Sequence, residues 1–265
     1  MAGIGRLEAV IDNAHGRAPV LLTCEHASNF MPPEFKGLGL SQAQVVDHVA
    51  WDIGAHALAR RMAKIMDCAV IAAPASRLLV DPNRDIAAPD LIPEQAEGAP
   101  VPGNAGLRAE DRAARIAAFH APFHEAIEAH LAASPHIEAL AAVHSFTPVL
   151  FGKQRPWHAG MLHSEDARLA DAMLARLARE ADLNIGRNEP YAPEQGVYYT
   201  MDRHSGDRHA GGRATVMIEV RNDLIQDEIG QTRWARLLAD ALKAAMAALA
   251  STQSRENLAQ IGGRN

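Results

Sequence analysis

Three stretches of this chain end an apolar run on a side chain that can bind metal or move a proton. "VLLTCEHASNFMP" (20–32) delivers Cys24, Glu25 and His26, "AAVHSFTP" (141–148) delivers His144, and "VMIEVRND" (216–223) delivers Glu219. Zinc takes imidazole nitrogens and carboxylate oxygens, and a catalytic zinc keeps three protein ligands with water in the fourth position. Two histidines and one carboxylate suit that demand, and Glu219 can serve as general base on the water. A single histidine at a strand end is more often a hydrogen-bonded structural residue. The weight comes from several loaded segments recurring in one chain.

The third ligand is open among Glu25, Asp47 and Asp52. The His-x-x-Glu spacing of metallopeptidases does not occur, because Asn29 stands three residues after His26. Glu25 adjoins His26, so on an extended strand it faces the other way unless the chain turns there. Asp52 precedes the helical apolar pattern "IGAHALARRMAKI", where a carboxylate can face a sheet end or simply cap the helix.

"SRLLVDPNRD" (76–85) adds Arg77, Asn83 and Arg84. An arginine fork in a cleft can grip a substrate carboxylate in two places, and Arg77 can do so or stabilise an oxyanion; a surface salt bridge is the ordinary alternative. "HAPFH" puts His120 and His124 on one helical face without the glutamate of a zincin motif, which indicates pocket lining or a structural role. "MDRHSGDRHAGGR" (201–213), containing His209, is a polar loop that is either solvated or closes over a ligand.

Elements must exist to position these groups. Candidate strands span 18–24, 68–75, 138–145, 158–164 and 213–221, and candidate helices span 42–66, 108–133, 165–182 and 229–250. The strands are nearly continuous in apolar residues, as strands buried on both faces are. Alternation with Ala/Leu/Arg-rich helices predicts a sheet covered by helices on both sides, with ligands at the carboxyl ends of strands. The Pro- and Gly-rich segment 81–107 reads as a long ordered loop, and the tail after about 250 as frayed.

Composition sets outer limits. The chain has 265 residues, 48% of them hydrophobic, and suits one α/β domain over 1–265. A net charge of −6 argues against nucleic acid as a partner. No apolar run nears the roughly 18–20 residues of a membrane span, and the start lacks the pattern of a secretory signal. Two cysteines make no disulfide framework, so a reduced cytoplasm is the expectation.

"TCEHASNFMP", "HVAWDIGA", "SRLLVDPNRD", "HAPFH", "VHSFTP", "NEPY" and "IEVRND" follow one another from about 20 to 225. In that order they resemble the N-formylglutamate amidohydrolases (formylglutamate deformylases of histidine catabolism), a family similar at a distance to zinc carboxypeptidases and aspartoacylases. The resemblance implies a three-layer αβα sandwich with a mixed, largely parallel sheet. It implies His26 and His144 as Zn²⁺ ligands, Glu219 as base, and Asn83 with Arg84 as carboxylate clamp. The carboxypeptidase glutamate ligand opens the helix after the first histidine. Here an insertion (27–46) intervenes, which favours Asp52. Arg77 or Arg221 is then expected at the oxyanion, and His120, His124 and His209 around the substrate. The implied reaction is hydrolysis of a small N-acyl amino acid, N-formylglutamate foremost. Another N-acyl amino acid, a carboxypeptidase-like hydrolysis, or a non-catalytic ligand-binding protein on the same fold are the alternatives.

Overall fold

Strands buried residue by residue need cover on both faces, and the computed structural model supplies it. It describes residues 4–206 and 212–262. The central sheet has seven strands: β1 (Val10–Asp12), β2 (Val20–Cys24), β3 (Ala69–Ala72), β6 (Ala139–Phe146), β9 (Ala159–Leu162), β10 (Ile185–Arg187) and β11 (Ala214–Arg221). Two hairpins lie outside it, β4 (Gln95–Ala96) with β5 (Ala99–Pro100) and β7 (Val149–Leu150) with β8 (Lys153–Gln154). The order is β1-β3-β2-β6-β11-β9-β10. β3, β2, β6 and β11 run parallel, β1 and β9 are antiparallel to their inner neighbours, and β10 follows β9 in parallel.

Among the described residues seven α-helices accompany the sheet: α1 (Gln42–Val46), α2 (Ala55–Met66), α3 (Ala109–Arg115), α4 (Ala121–Ala133), α5 (Arg168–Leu177), α6 (Tyr199–His204) and α7 (Glu228–Gly262). The period of two along each strand divides the core. Leu22, Val70, Ala141, Met161 and Val216 face α2, α5 and α7. Leu21, Ile71, Leu140, Leu162 and Met217 face α4 and α6. The expected mixed, largely parallel α/β sheet with helices on both sides is thus the observed one.

Three expectations are corrected. The helix over 42–66 is two helices, α1 and α2, with irregular backbone between them. Gly54 caps α2 at φ +83°, and a Cβ there would collide with the Ile225 carbonyl, so the chain passes this point only as glycine. The helix expected over 229–250 runs from Glu228 to Gly262, since neither proline nor glycine interrupts it between 250 and that point. Strands β1 and β10 were not foreseen, being three residues each at the sheet edges, too short to show a period.

The helix over 108–133 is continuous in course but passes through a π turn at Ile116–His120. Pro122, two residues after the turn, lacks the N–H that a regular ladder needs. Segment 81–107 is ordered, as expected. Leu91, Ile92 and Val101 join Leu78, Leu79 and Phe119 in a separate apolar cluster. Asn104 donates to the carbonyls of Leu78 and Pro93 and accepts from Arg115 at 2.6 Å. No helix among the described residues is long and apolar enough to cross a membrane. His209 lies outside the described residues.

Candidate active site

Strand parity brings the site together. β6 and β11 are parallel with Glu219 opposite His144, and both residues lie on the face of Leu140 and Met217 that looks towards α4 and α6. Thr23 and Glu25 share that face from β2. The strand ends at Cys24, and a turn at Glu25 and His26 resolves the expected divergence of these neighbours. Glu25 stays under the sheet end, accepting from Thr23 Oγ1 at 2.7 Å. His26 swings over, and its carbonyl accepts the Asp52 N–H at 2.9 Å. That bond draws in the irregular segment before α2, so the break in the expected helix is what delivers Asp52.

The result is a buried convergence of His26, Asp52 and His144, whose ligand atoms lie within 4.8 Å of one another and could hold a metal ion. Asp52 Oδ2 is 2.8 Å from His144 Nδ1 and 3.4 Å from His26 Nδ1. The far nitrogens are also placed: His144 Nε2 lies 2.8 Å from Glu25 Oε2, and His26 Nε2 lies 2.8 Å from Asp81 Oδ1. A histidine that gives its second ring N–H to a carboxylate has its other nitrogen fixed as a ligand, the common support of metal-bound imidazoles. Asp52 is further held by the Ser145 N–H at 3.2 Å and by Arg77 at 2.7 Å. Arg77 also reaches the His48 carbonyl and, at 3.0 Å, His26 Nδ1. Because a guanidinium only donates, that nitrogen carries a lone pair.

The electrostatics point the same way. Glu25, Asp52, Asp81 and Glu219 are four buried carboxylates, with Arg77 and Arg84 as permanent cations beside them. Burial opposes the charge of Asp52, yet Arg77 and His26 hold it well below the usual carboxylate range. Burial likewise opposes ionisation of Glu25, and His144 overcomes it. For Asp81 the same opposition is overcome first by His26. His144, which burial would push down, is raised well above an ordinary imidazole by Glu25 and Asp52 on its two sides. Such an excess of buried negative charge is stabilised by a cation. Glu219 differs from the other three: burial raises it to about 7, and its Oε2, unlike Glu25 Oε2 beside His144 Nε2, is buried with neither a hydrogen bond nor an ion pair among the described residues. A divalent ion and its water suit both features.

All of these groups except Glu25 line a cleft of about 170 Å³, on the scale of a small molecule, together with Asn83, Arg84, Ser145 and Tyr191. Arg84 pairs with Asp90 at 2.8 Å and donates to the carbonyls of Asn83 and Gly196 through NH1. Asn83 lines the cleft, but its amide is committed at both ends, to the Val197 carbonyl and to the Thr200 N–H. It fastens the start of α6.

Other expected residues stand elsewhere. Arg221 turns to Asp223 at 2.8 Å and does not line the cleft, because the chain bends away after β11. Asp47 is exposed and bonds to His48. His120 and His124 lie beneath the 81–85 loop, not in the cleft. His120 Nε2 is 3.0 Å from the Arg84 carbonyl, and His124 Nε2 is 2.9 Å from the Pro82 carbonyl. Carbonyls only accept, so both histidines donate there. His124 Nδ1 then accepts from His204 Nε2 at 2.8 Å. Of the two roles weighed for this pair, the geometry is the structural one.

Sequence reasoning did not assign Asp81 or Tyr191. Asp81 opens "DPNRD", where the adjacent arginine drew the reading, and a carboxylate behind a ligand has no spacing signal. Tyr191 ends "NEPY", a motif noted only for its place in the order.

A family model for N-formylglutamate amidohydrolase matches residues 18–226. A gene product from Agrobacterium tumefaciens of solved structure is 37% identical, with a TM-score of 0.87 over 92% of this chain and 96% of that one. N-formylglutamate amidohydrolase from Ralstonia eutropha is 19% identical, with a TM-score of 0.63 over the same shares of each chain, a likeness of fold. Comparison with curated proteins finds no match.

Proposed function

Because this chain belongs to the N-formylglutamate amidohydrolase family, we propose that it is a zinc-dependent hydrolase that releases formate from N-formyl-L-glutamate. The observation that carries the reading is the buried His26–Asp52–His144 convergence, both histidines backed by carboxylates, beside a Glu219 oxygen without a partner. Zinc at those three ligands supplies a Lewis acid that makes water a nucleophile at neutral pH.

The chain's own residues do the rest. Glu219 takes a proton from the attacking water as a C–O bond forms at the formyl carbon. The C–N bond breaks, and Glu219 returns the proton to the departing amine nitrogen, leaving formate and glutamate. A base poised near neutrality fits both transfers. Arg77 holds Asp52 in place, and its charge lies beside the reacting groups. Arg84, whose NH2 makes no hydrogen bond among the described residues, offers that edge to a substrate carboxylate at the cleft.

The test is a hydrolysis screen of N-formyl, N-acetyl and N-succinyl amino acids with protein purified without an affinity tag, metal-stripped and then reloaded. Zinc-dependent formate release, greatest for N-formylglutamate, is the expected result. Preference for another acyl group would make the protein an amidase of different specificity. No hydrolysis with any substrate or metal would leave a binding protein on this fold.

A further inference from the structure

Arg155 is a cation whose partner is not a carboxylate. Its residue is 7% exposed, and no carboxylate among the described residues pairs with it. Its NH1 instead donates to Tyr191 Oη at 2.9 Å, with the Thr147 carbonyl at 3.5 Å. The guanidinium stands 4.8 Å over the Tyr191 ring and 5.8 Å over the ring of Phe146, two residues past His144 on β6. Burying an unpaired cation is costly, so its placement against one phenol calls for a reason.

Inventory of the hydroxyl supplies one. A phenol has one hydrogen to donate, and Arg155 can only donate. One lone pair of Tyr191 is therefore used by Arg155, while its own hydrogen points elsewhere. A hydroxyl polarised by a charged donor is in turn a stronger donor. Tyr191 lines the same cleft as Glu219, His26 and His144. Its position is set by backbone: Gly160, opposite Glu219 in the β11–β9 register, has no Cβ because the Glu189 carbonyl presses against that point.

We propose that Tyr191, held by Arg155, is a catalytic residue that donates a hydrogen bond to the substrate oxygen on which negative charge develops. The inference rests on the hydrolase reading above. The phenol keeps its proton throughout, and proton transfer remains with Glu219. Burial and the nearby Glu219 both raise the Tyr191 hydroxyl above its ordinary value, which keeps it a donor at neutral pH. A donor aimed at developing charge acts on the transition state and little on the ground state.

Tyr191→Phe removes one oxygen and should fold. Three readings on the zinc-loaded variant and wild type test the role: kcat and KM for N-formylglutamate, calorimetric affinity for glutamate, and calorimetric affinity for a phosphonamidate analogue of N-formylglutamate. Expected are a kcat lower by roughly ten- to a hundredfold, a KM within about twofold, unchanged glutamate affinity and bound zinc, and phosphonamidate affinity weakened by the same factor as kcat. Arg155→Lys should show a smaller loss of the same pattern. Wild-type kcat in Tyr191→Phe, or equal weakening of glutamate and phosphonamidate, would overturn the assignment, the second outcome marking a ground-state contact. A wild type that loads zinc yet hydrolyses no N-formyl amino acid would overturn the hydrolase reading, and this inference with it.

Discussion

Glu25 does not line the cleft, yet it should set the metal affinity. The Glu25→Gln variant keeps the size of the side chain and can turn its amide so that Oε1 still accepts from His144 and the NH2 meets Thr23 Oγ1. What it removes is charge from a 2.8 Å contact between groups that are 0% and 2% exposed. A hydrogen bond to an ionised partner contributes about 1.5–3 kcal/mol and a neutral one about 0.5–1.5. Less basic support for a metal-bound imidazole generally costs ten- to a hundredfold in affinity, or about 1.4–2.7 kcal/mol. Competition against a chromophoric chelator at pH 7.5 measures this directly. Zinc affinity should fall ten- to a hundredfold while kcat at saturating zinc stays within a few-fold of wild type. Asp52→Ala, which removes a converging atom, should bind zinc more weakly still. Unchanged affinity in Glu25→Gln would show that His144 does not bind metal through Nδ1. Loss of zinc greater than in Asp52→Ala would show that Glu25 itself is the ligand.

Glu219→Gln should retain zinc and substrate binding while kcat falls by ~10²–10⁴, the range for removing a general base; loss of zinc would make Glu219 a ligand instead. Arg84→Lys should lower kcat/KM for N-formylglutamate roughly ten- to a hundredfold, since an ammonium cannot reproduce the planar edge of a guanidinium, and an unaltered value would place the clamp elsewhere. Gly160→Ala puts a methyl against the Glu189 carbonyl and should cost about 1–3 kcal/mol of stability in denaturant unfolding, with kcat reduced as Tyr191 shifts; a wild-type midpoint would contradict the packing. Burial, with His120 and Arg203 nearby, holds His124 at about 2, and burial with Arg203 holds His204 at about 4. Both folded values lie below the ordinary 6.5, so the unfolded chain binds protons that the folded one refuses, and stability present above pH 6.5 is lost as pH falls towards 4. Between pH 6.5 and 5 the pair should cost on the order of 3 kcal/mol, read as a drop in urea midpoint that His204→Gln reduces by about half.

The amino-acid sequence determined the elements and their chemistry. Continuous apolar runs gave five of the seven sheet strands, because burial on both faces leaves a composition signal that survives without coordinates. Each run ending on one His or Glu marked the carboxyl edge as the place of interest, and for His26, His144 and Glu219 that edge is where the cleft lies. Edge strands β1 and β10 left no such signal, being three residues long.

Tertiary structure alone decided how the polar groups divide between cleft and support. Glu25 and His26 are neighbours in the chain, and only the turn after β2 makes one a backing carboxylate and the other a converging histidine. Asp52 sits within a helical pattern, and only the Gly54 contact with Ile225 and the bond to the His26 carbonyl break that helix and aim its carboxylate. His120 and His124 have metal-like spacing, yet π-turn geometry and the carbonyls of Pro82 and Arg84 make them props for a loop. Spacing along a chain fixes which face of an element a side chain occupies. Which partner it meets there depends on residues 25 to 119 positions away, and no local pattern encodes that.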